Sequence, residues 1–129
     1  MIHKTAIIDP KAKIASSAEI GPYCIIGPNV EIGENTIIHS HVNISVNAKI
    51  GKENKIYPFV SINDPQDLKY NGEPTNLVIG DNNKIREYVT INPGTVSGGG
   101  KTVIGNNCLF MISSHVAHDC EVGNNVIIA

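Results

Sequence analysis

The residues best suited to acid–base chemistry lie close together near the end of the chain. His115, His118 and Asp119 fall within one short stretch. An imidazole titrates near neutral pH and can accept a proton from a weak nucleophile such as a hydroxyl group. An adjacent carboxylate favours the imidazolium and holds its orientation. The stretch is therefore a candidate general base with its partner, although the same residues also suit a plain solvated turn.

The element that must position these side chains is a six-residue repeat. Isoleucine recurs at every sixth place from Ile2 to Ile62, and apolar residues resume this spacing over 79–91 and 104–128. A helix would smear such a period around its axis, and a flat amphipathic strand would need a period of two. Short strands that turn corners fit instead, three of them closing a triangular coil of about 18 residues.

We call the apolar residue at each sixth place a rung. The positions around each rung agree with an all-β fold, a parallel β-helix. Small or medium side chains stand two places before most rungs, where a narrow interior requires them, and glycine or asparagine follows at the corners. We expect every rung from Ile2 to Ile62 to be interior. In this register Ser114 and Cys120 point inward, while His115 and His118 point outward. Neither Ser114 nor Cys120 is therefore favoured as a covalent nucleophile, because both fall at inward places and no base is arranged beside them.

Composition narrows the class of protein. The formal net charge is -2, which provides no basic field for nucleic acid or an anionic membrane surface. No apolar run reaches about 18 residues, so no transmembrane segment is predicted. Three cysteines without paired spacing and an N-terminus unlike a signal peptide predict a soluble protein with free thiols in the cytoplasm.

Two interruptions of the repeat are places where a binding site can form. The rungs at Ile62 and Ile79, and those at Ile91 and Ile104, are not separated by whole multiples of six. We therefore predict a single β-helix domain over 1–129 with loop excursions near 63–78 and 92–103. Insertions in repeat proteins collect on the binding face, because the coil itself is occupied with packing. Their composition alone would equally fit solvated turns.

The motifs in and after these excursions resemble those of a known family. Residues 66–70 (QDLKY) with 72–75 (GEPT) are similar to the distinctive loop of the UDP-N-acetylglucosamine O-acyltransferases, which are hexapeptide-repeat transferases. The segments 86–91 (REYVTI), 111–112 (MI) and 115–120 (HVAHDC) follow in the family's order. The resemblance implies a left-handed coil and a homotrimer. It also implies transfer of a 3-hydroxyacyl group from acyl carrier protein thioester to the 3-hydroxyl of UDP-N-acetylglucosamine, the first step of lipid A biosynthesis, without a cofactor.

The same resemblance assigns roles to individual residues. His118 would be the catalytic base in a cleft between subunits, with Asp119 beside it. His115 would line that cleft. Gln66, Asp67 and Lys69 would contact the sugar nucleotide or the pantetheine arm.

Asn92 departs from the family pattern, since some members carry a histidine at this place. If residue 92 binds the nucleotide, it must do so through an amide side chain instead of an imidazole. The acyl length, and whether the acceptor sugar carries a 3-hydroxyl or a 3-amino group, stay open.

Three other functions remain as alternatives. A metal enzyme of the carbonic anhydrase type uses the same coil but needs three converging histidines, one pair more widely spaced than His115 and His118. The related lipid A N-acyltransferase would not be expected to carry the loop over 66–75. The third alternative is an inactive or truncated trimeric scaffold. The family implies further coils, a cap and a helical region beyond Ala129, with the oxyanion donor and the acyl-length ruler there.

Overall fold

The computed structural model describes residues 1–45 and 47–129, and this part of the chain forms eighteen short strands in three six-stranded parallel sheets. The first sheet contains β1 (Ile7–Ile8), β4 (Ile25–Ile26), β7 (Asn43–Ile44), β10 (Ser61–Ile62), β13 (Thr90–Ile91) and β16 (His115–Val116). The second contains β2 (Lys13–Ile14), β5 (Glu31–Ile32), β8 (Ala48–Ile50), β11 (Asn76–Ile79), β14 (Lys101–Ile104) and β17 (Glu121–Val122). The third contains β3 (Glu19–Ile20), β6 (Ile37–Ile38), β9 (Lys55–Ile56), β12 (Lys84–Ile85), β15 (Leu109–Phe110) and β18 (Ile127–Ile128).

Successive strands pass from one sheet to the next, so the chain winds as a parallel β-helix, as predicted. The coil is left-handed. Pairing joins each strand to the one a full coil away, as where Ile8 lies beside Ile26 and Ile26 beside Ile44. Each rung thus stacks on the rung of the neighbouring coil. The hexad spacing of the sequence is the physical cause, because three strand-and-corner units return the chain to the same side of the triangle.

The core is the stack of these rungs, and it differs from expectation at the first coils. The rungs from Ile20 to Ile62 are buried, but Ile2 is 46% exposed and Ile8 and Ile14 are half-buried. The prediction that the series would be interior from Ile2 onward was therefore wrong for the first coil. Ile2 pairs on one side only, through an isolated bridge to Ile20, so half of its surface has no neighbour.

A polar column runs through the interior of the third sheet. Asn54 and Asn83 are both fully buried at the inward place two residues before a rung, next to the buried Thr36. Each side chain accepts a hydrogen bond from the main chain of the next coil and donates one to a carbonyl of that coil's corner. The Asn83 side chain accepts from the Cys108 amide (2.8 Å) and donates to the Gly105 carbonyl (2.9 Å).

The corners are tight and adopt left-handed backbone angles. Among the described residues, thirteen other than glycine have positive φ, and asparagine is the most frequent of them. Asp119 is one of these, with φ of 63° at the corner after β16. A short polar side chain tolerates this conformation better than most, which explains its presence at a corner.

The two excursions leave the coil after β10 and after β13. The sequence placed their ends near 78 and 103, whereas the following strands already begin at Asn76 and Lys101. The reason is that β11 and β14 pair with each other over four residues, from Asn76 with Lys101 to Ile79 with Ile104. In the described part of the chain, no helix is long and apolar enough to cross a membrane.

Candidate active site

His118 and Asp119 form a hydrogen-bonded pair at the corner between β16 and β17. His118 Nδ1 lies 2.8 Å from Asp119 Oδ2, and the side chains are 43% and 11% exposed, respectively. The outward direction of His118 follows from the repeat, since Val116 occupies the inward rung. A carboxylate can only accept, so Nδ1 carries the proton and Nε2 is the basic nitrogen of the neutral ring. Among the described residues, Nε2 has no protein partner.

The Asp119 carboxylate is itself held by the second excursion. The Thr95 amide donates to Asp119 Oδ1 (2.7 Å) and the Thr95 hydroxyl donates to Oδ2 (2.6 Å). The main-chain amide of Asp119 donates to the hydroxyl of Thr102 on strand β14 at 2.9 Å. Asp119 therefore connects the histidine to the loop over 92–100, and the pair does not depend on sequence adjacency alone.

These contacts decide the ionisation of Asp119. Desolvation by burial raises the pKa of the carboxyl, but hydrogen bonds from the Thr95 hydroxyl, His118 and the Thr95 amide together outweigh it and hold the pKa below its usual range. The group is thus a carboxylate near neutral pH, which is the form that orients an imidazole for proton acceptance.

A second cluster forms around His115, whose ring points outward from β16. His115 Nδ1 lies 2.7 Å from the hydroxyl of Thr90 on the neighbouring strand β13. On its other side, His115 Nε2 lies 3.5 Å from Gln66 Nε2, which belongs to the first excursion. The excursion therefore folds back over the outer face of the first sheet, although Gln66 and His115 are 49 positions apart.

Asn92 joins the first excursion to the coil. It is only 4% exposed, and its amide nitrogen donates to Asn63 Oδ1 (3.3 Å) and to the Asp64 carbonyl (3.2 Å). Gln66 Nε2 donates to Asn92 Oδ1 at 3.4 Å. Together with Thr90 and His115, these side chains line a cavity of about 370 Å³. Its lining is rich in amide, hydroxyl and imidazole groups and also includes Asp64, and such groups suit the hydroxyl and amide groups of a polar ligand.

Asp67 and Lys69 lie on the same excursion but stand apart from both clusters. Asp67 is half-buried and its Oδ1 accepts a hydrogen bond from the Lys69 amide (3.1 Å), which fixes a local turn. Lys69 is exposed. The structure thus brings together His118 with Asp119, and Gln66 with Asn92 and His115. Among the described residues, neither Asp67 nor Lys69 forms a hydrogen bond to either cluster, and the one hydrogen bond of their side chains joins Asp67 to the Lys69 amide.

Two alternative chemistries bear on other side chains. Within residues 1–45 and 47–129, no group of three or more His, Cys, Asp or Glu side chains is arranged to hold a metal ion. Ser114 is buried and donates to the Met111 carbonyl (2.8 Å), so its hydroxyl is engaged in the coil. Cys24 and Cys108 are buried free thiols, and Cys120 is a half-buried one. Burial raises the pKa of the Cys24 thiol, against the effect of main-chain hydrogen bonds.

Sequence reasoning missed Thr90, Thr95, Asn63 and Asp64. Thr95 lies inside the glycine-rich second excursion. The break in the six-residue spacing there was the signal that could have drawn attention to it. Thr90 occupies the outward strand position directly beneath His115, so counting one coil back along the repeat would have identified it.

The sequence profile of the bacterial transferase hexapeptide (six repeats) family matches residues 1–33, 11–46 and 101–129. The curated acyl-(acyl-carrier-protein)-UDP-N-acetylglucosamine O-acyltransferase of Thermodesulfovibrio yellowstonii is 55% identical over 129 residues, which is 99% of this chain and 50% of that protein. This chain thus spans about half the length of that relative.

Two solved structures are similar over almost the whole chain. The UDP-N-acetylglucosamine O-acyltransferase of Moraxella catarrhalis is 58% identical with a TM-score of 0.93, covering 95% of this chain and 48% of that one. The UDP-N-acetylglucosamine acyltransferase of Francisella novicida is 50% identical with a TM-score of 0.96, covering 98% and 47%.

Proposed function

Because the chain belongs to the bacterial transferase hexapeptide family, we propose that it is the N-terminal part of an acyltransferase acting on UDP-N-acetylglucosamine. The enzyme moves a 3-hydroxyacyl group from acyl carrier protein thioester to the sugar 3-hydroxyl, the first step of lipid A biosynthesis. The observation that carries the proposal is the His118–Asp119 pair, in which the carboxylate fixes Nδ1 and leaves Nε2 available to a proton. The curated relative is named for acyl carrier protein and UDP-N-acetylglucosamine, which supports these two substrates.

His118 acts as a general base on the sugar hydroxyl, which is a weak nucleophile. As the 3-hydroxyl oxygen attacks the thioester carbonyl, its proton passes to Nε2 of His118. Asp119 stabilises the imidazolium that forms. When the tetrahedral intermediate collapses, the carbon–sulfur bond breaks and the carrier thiolate takes the proton from His118. The ester and the free thiol are the products, and His118 returns to its neutral form without any cofactor.

The cavity beneath the first excursion binds the sugar nucleotide. Its amides and the His115 ring offer hydrogen-bond donors and acceptors to the nucleotide, and Asp64 also lines it. Asp67 and Lys69 contact the nucleotide or the pantetheine arm from the same excursion. Asp67→Ala and Lys69→Ala should therefore raise the apparent KM more than they lower kcat, since such contacts stabilise the ground state and the transition state alike.

The enzyme works as a homotrimer in the cytoplasm. His118 is 43% exposed on the outer wall of the coil, and a second wall is needed to enclose a substrate there. A neighbouring copy supplies that wall. The free thiols of Cys24, Cys108 and Cys120 fit a reducing compartment.

His118→Ala tests the mechanism, using the protein at its full natural length with acyl carrier protein thioester and UDP-N-acetylglucosamine. Turnover should fall roughly 100- to 10,000-fold, the usual contribution of a general base, while calorimetry still detects sugar nucleotide binding. His3→Ala is the matched control, because His3 is also exposed and also bonds through Nδ1, to Thr5 Oγ at 2.9 Å. It should keep full turnover.

Other results would select an alternative. Near-normal turnover in His118→Ala would exclude this residue as the base. Loss of binding with normal kcat would make His118 a substrate contact and His115 the next candidate base. Turnover only with an acceptor whose free group is a glucosamine amine would indicate the N-acyltransferase. A wild-type protein that binds neither substrate would be a scaffold.

A further inference from the structure

We propose that Thr95 is the positioning residue of the His118–Asp119 pair, and that the second excursion folds as it does to present Thr95 to the Asp119 carboxylate. This inference rests on the proposed role of His118 as general base. Thr95 touches no reacting atom in this scheme. It acts through Asp119.

The contacts of Thr95 restrict the carboxylate at two points. The amide binds Oδ1 and the hydroxyl binds Oδ2, so both carboxylate oxygens are held and the group cannot rotate about its Cβ–Cγ bond. Oδ2 is also the atom that faces His118 Nδ1. Hydrogen bonds to an ionised acceptor are shorter and about twice as strong as neutral ones. The orientation of the imidazole thus depends on Thr95 through a single shared oxygen.

The Thr95 hydroxyl is itself oriented. The Gly98 amide donates to Thr95 Oγ at 3.2 Å, so the hydroxyl accepts there and its own hydrogen is directed to Asp119. Thr95 is 2% exposed, which keeps water from competing for the carboxylate at this side. Anchoring of this kind is typical of groups that hold a catalytic histidine in one tautomer.

The glycines of the excursion make this close approach possible. A β-carbon at Gly98 would overlap the Asp119 carboxylate, and one at Gly94 would overlap the main chain of Lys101. The Gly100 amide closes the turn on the Thr95 carbonyl at 2.6 Å, and Gly100 has a φ of 83°. The off-period segment is therefore a compact support for one carboxylate, with Thr95 at its centre.

The same contacts of Thr95 act on the pKa of Asp119. The Thr95 hydroxyl and amide are two of the groups that hold this pKa below its usual range, although desolvation by burial opposes them. Loss of the hydroxyl should therefore raise the Asp119 pKa. This quantity can be followed on the carboxyl carbon by NMR, with no substrate present.

Thr95→Val and Thr95→Ser form the central test, in the protein at its full natural length. Thr95→Val should lower kcat about 10- to 100-fold with little change in KM, the size expected when a catalytic group loses its alignment. Thr95→Ser keeps the hydroxyl and should restore most of the rate. The Asp119 pKa should rise in Thr95→Val and return in Thr95→Ser.

Thr36→Val is the matched control for a lost buried hydroxyl. Thr36 is fully buried and donates to the Gly51 carbonyl at 2.7 Å, on a different side of the coil. Its replacement should lower stability but change neither kcat nor the Asp119 pKa. If Thr95→Val fails to fold, Gly98→Ala takes its place, because Gly98 is exposed while its added methyl displaces the Asp119 carboxylate. Gly98→Ala should then show the same loss of kcat.

A double-mutant cycle separates positioning from any other role. In an Asp119→Asn background, Thr95→Val should cause less than about a 3-fold further change in kcat, because the two residues act as one unit. Fully additive losses would overturn the inference, as would a Thr95→Val variant with unchanged kcat and unchanged Asp119 pKa. A wild-type protein without transferase activity would refute the proposed function instead, and the NMR titration would still decide whether Thr95 controls Asp119.

Discussion

Replacing Asn83 by valine should destabilise the fold strongly, although valine is common at inward positions of this coil. Asn83 is fully buried. Its side chain satisfies two main-chain groups of the next coil, the Cys108 amide and the Gly105 carbonyl. Valine would fill similar space but leave both groups without a partner.

The magnitude follows from those two bonds. A buried donor or acceptor left unsatisfied costs about 1–3 kcal/mol, so the pair should cost roughly 2–6 kcal/mol. That is a large part of the 5–15 kcal/mol typical of a whole domain. The main-chain amide of Asn83 also donates to Asn54 Oδ1 (2.9 Å). This bond does not involve the Asn83 side chain, so it would survive the substitution.

Urea unfolding followed by circular dichroism measures the change. Asn83→Val should lower the midpoint with an unaltered m-value, which identifies a loss of stability rather than a change in surface exposed. Asn71→Val is the control, because Asn71 is an exposed asparagine in the first excursion and should change stability by less than about 0.5 kcal/mol. A loss under about 1 kcal/mol in Asn83→Val would refute the view that the interior amide is needed for these bonds.

Three further predictions concern acid stability, packing and assembly. The Asp119 pKa is lowered in the folded state, so its stabilising contribution is present above the ordinary aspartate value of about 3.9 and disappears as pH falls through the lowered pKa. The free energies of unfolding of wild type and Asp119→Asn should therefore approach each other as pH falls below about 3.9. A difference in free energy that stays constant down to about pH 2 would contradict this. Ile56→Ala should lower the free energy of unfolding by about 2–5 kcal/mol, because Ile56 is fully buried. Ile2→Ala should lower it by about 1 kcal/mol or less, because Ile2 is 46% exposed. Equal losses of stability would show that the end rung is as well packed as the core. Light scattering should give three times the chain mass of 13.8 kDa at micromolar concentration, and a stable monomer would contradict the shared cleft.

The direction of most side chains could be read from the sequence. A strand places alternate residues on opposite faces, and the corners recur at every sixth place, so one rung fixes the inward or outward direction of its neighbours. This reasoning placed Val116 and Ser114 inside and His115 and His118 outside, as the structure has them. It was wrong about burial in the first coil, where Ile2 is exposed and Ile8 and Ile14 are only half-buried.

The candidate residues came from motifs, but their partners did not. Periodicity carries no information within an excursion, because its length is not a multiple of six. Nothing in the sequence indicated that Gln66 would lie against Asn92 and His115, or that Thr95 would bind a carboxylate 24 positions later.

The sequence by itself therefore determined the coil, the outward histidines and the loops that interrupt the repeat, since these depend on local spacing alone. Only the tertiary structure decided which groups meet. A hydrogen bond requires donor and acceptor within about 3 Å, and that distance depends on the path of a whole excursion rather than on its composition. The same holds for Asn54 and Asn83, whose amides fit an apolar interior only because the next coil offers them a donor and a carbonyl.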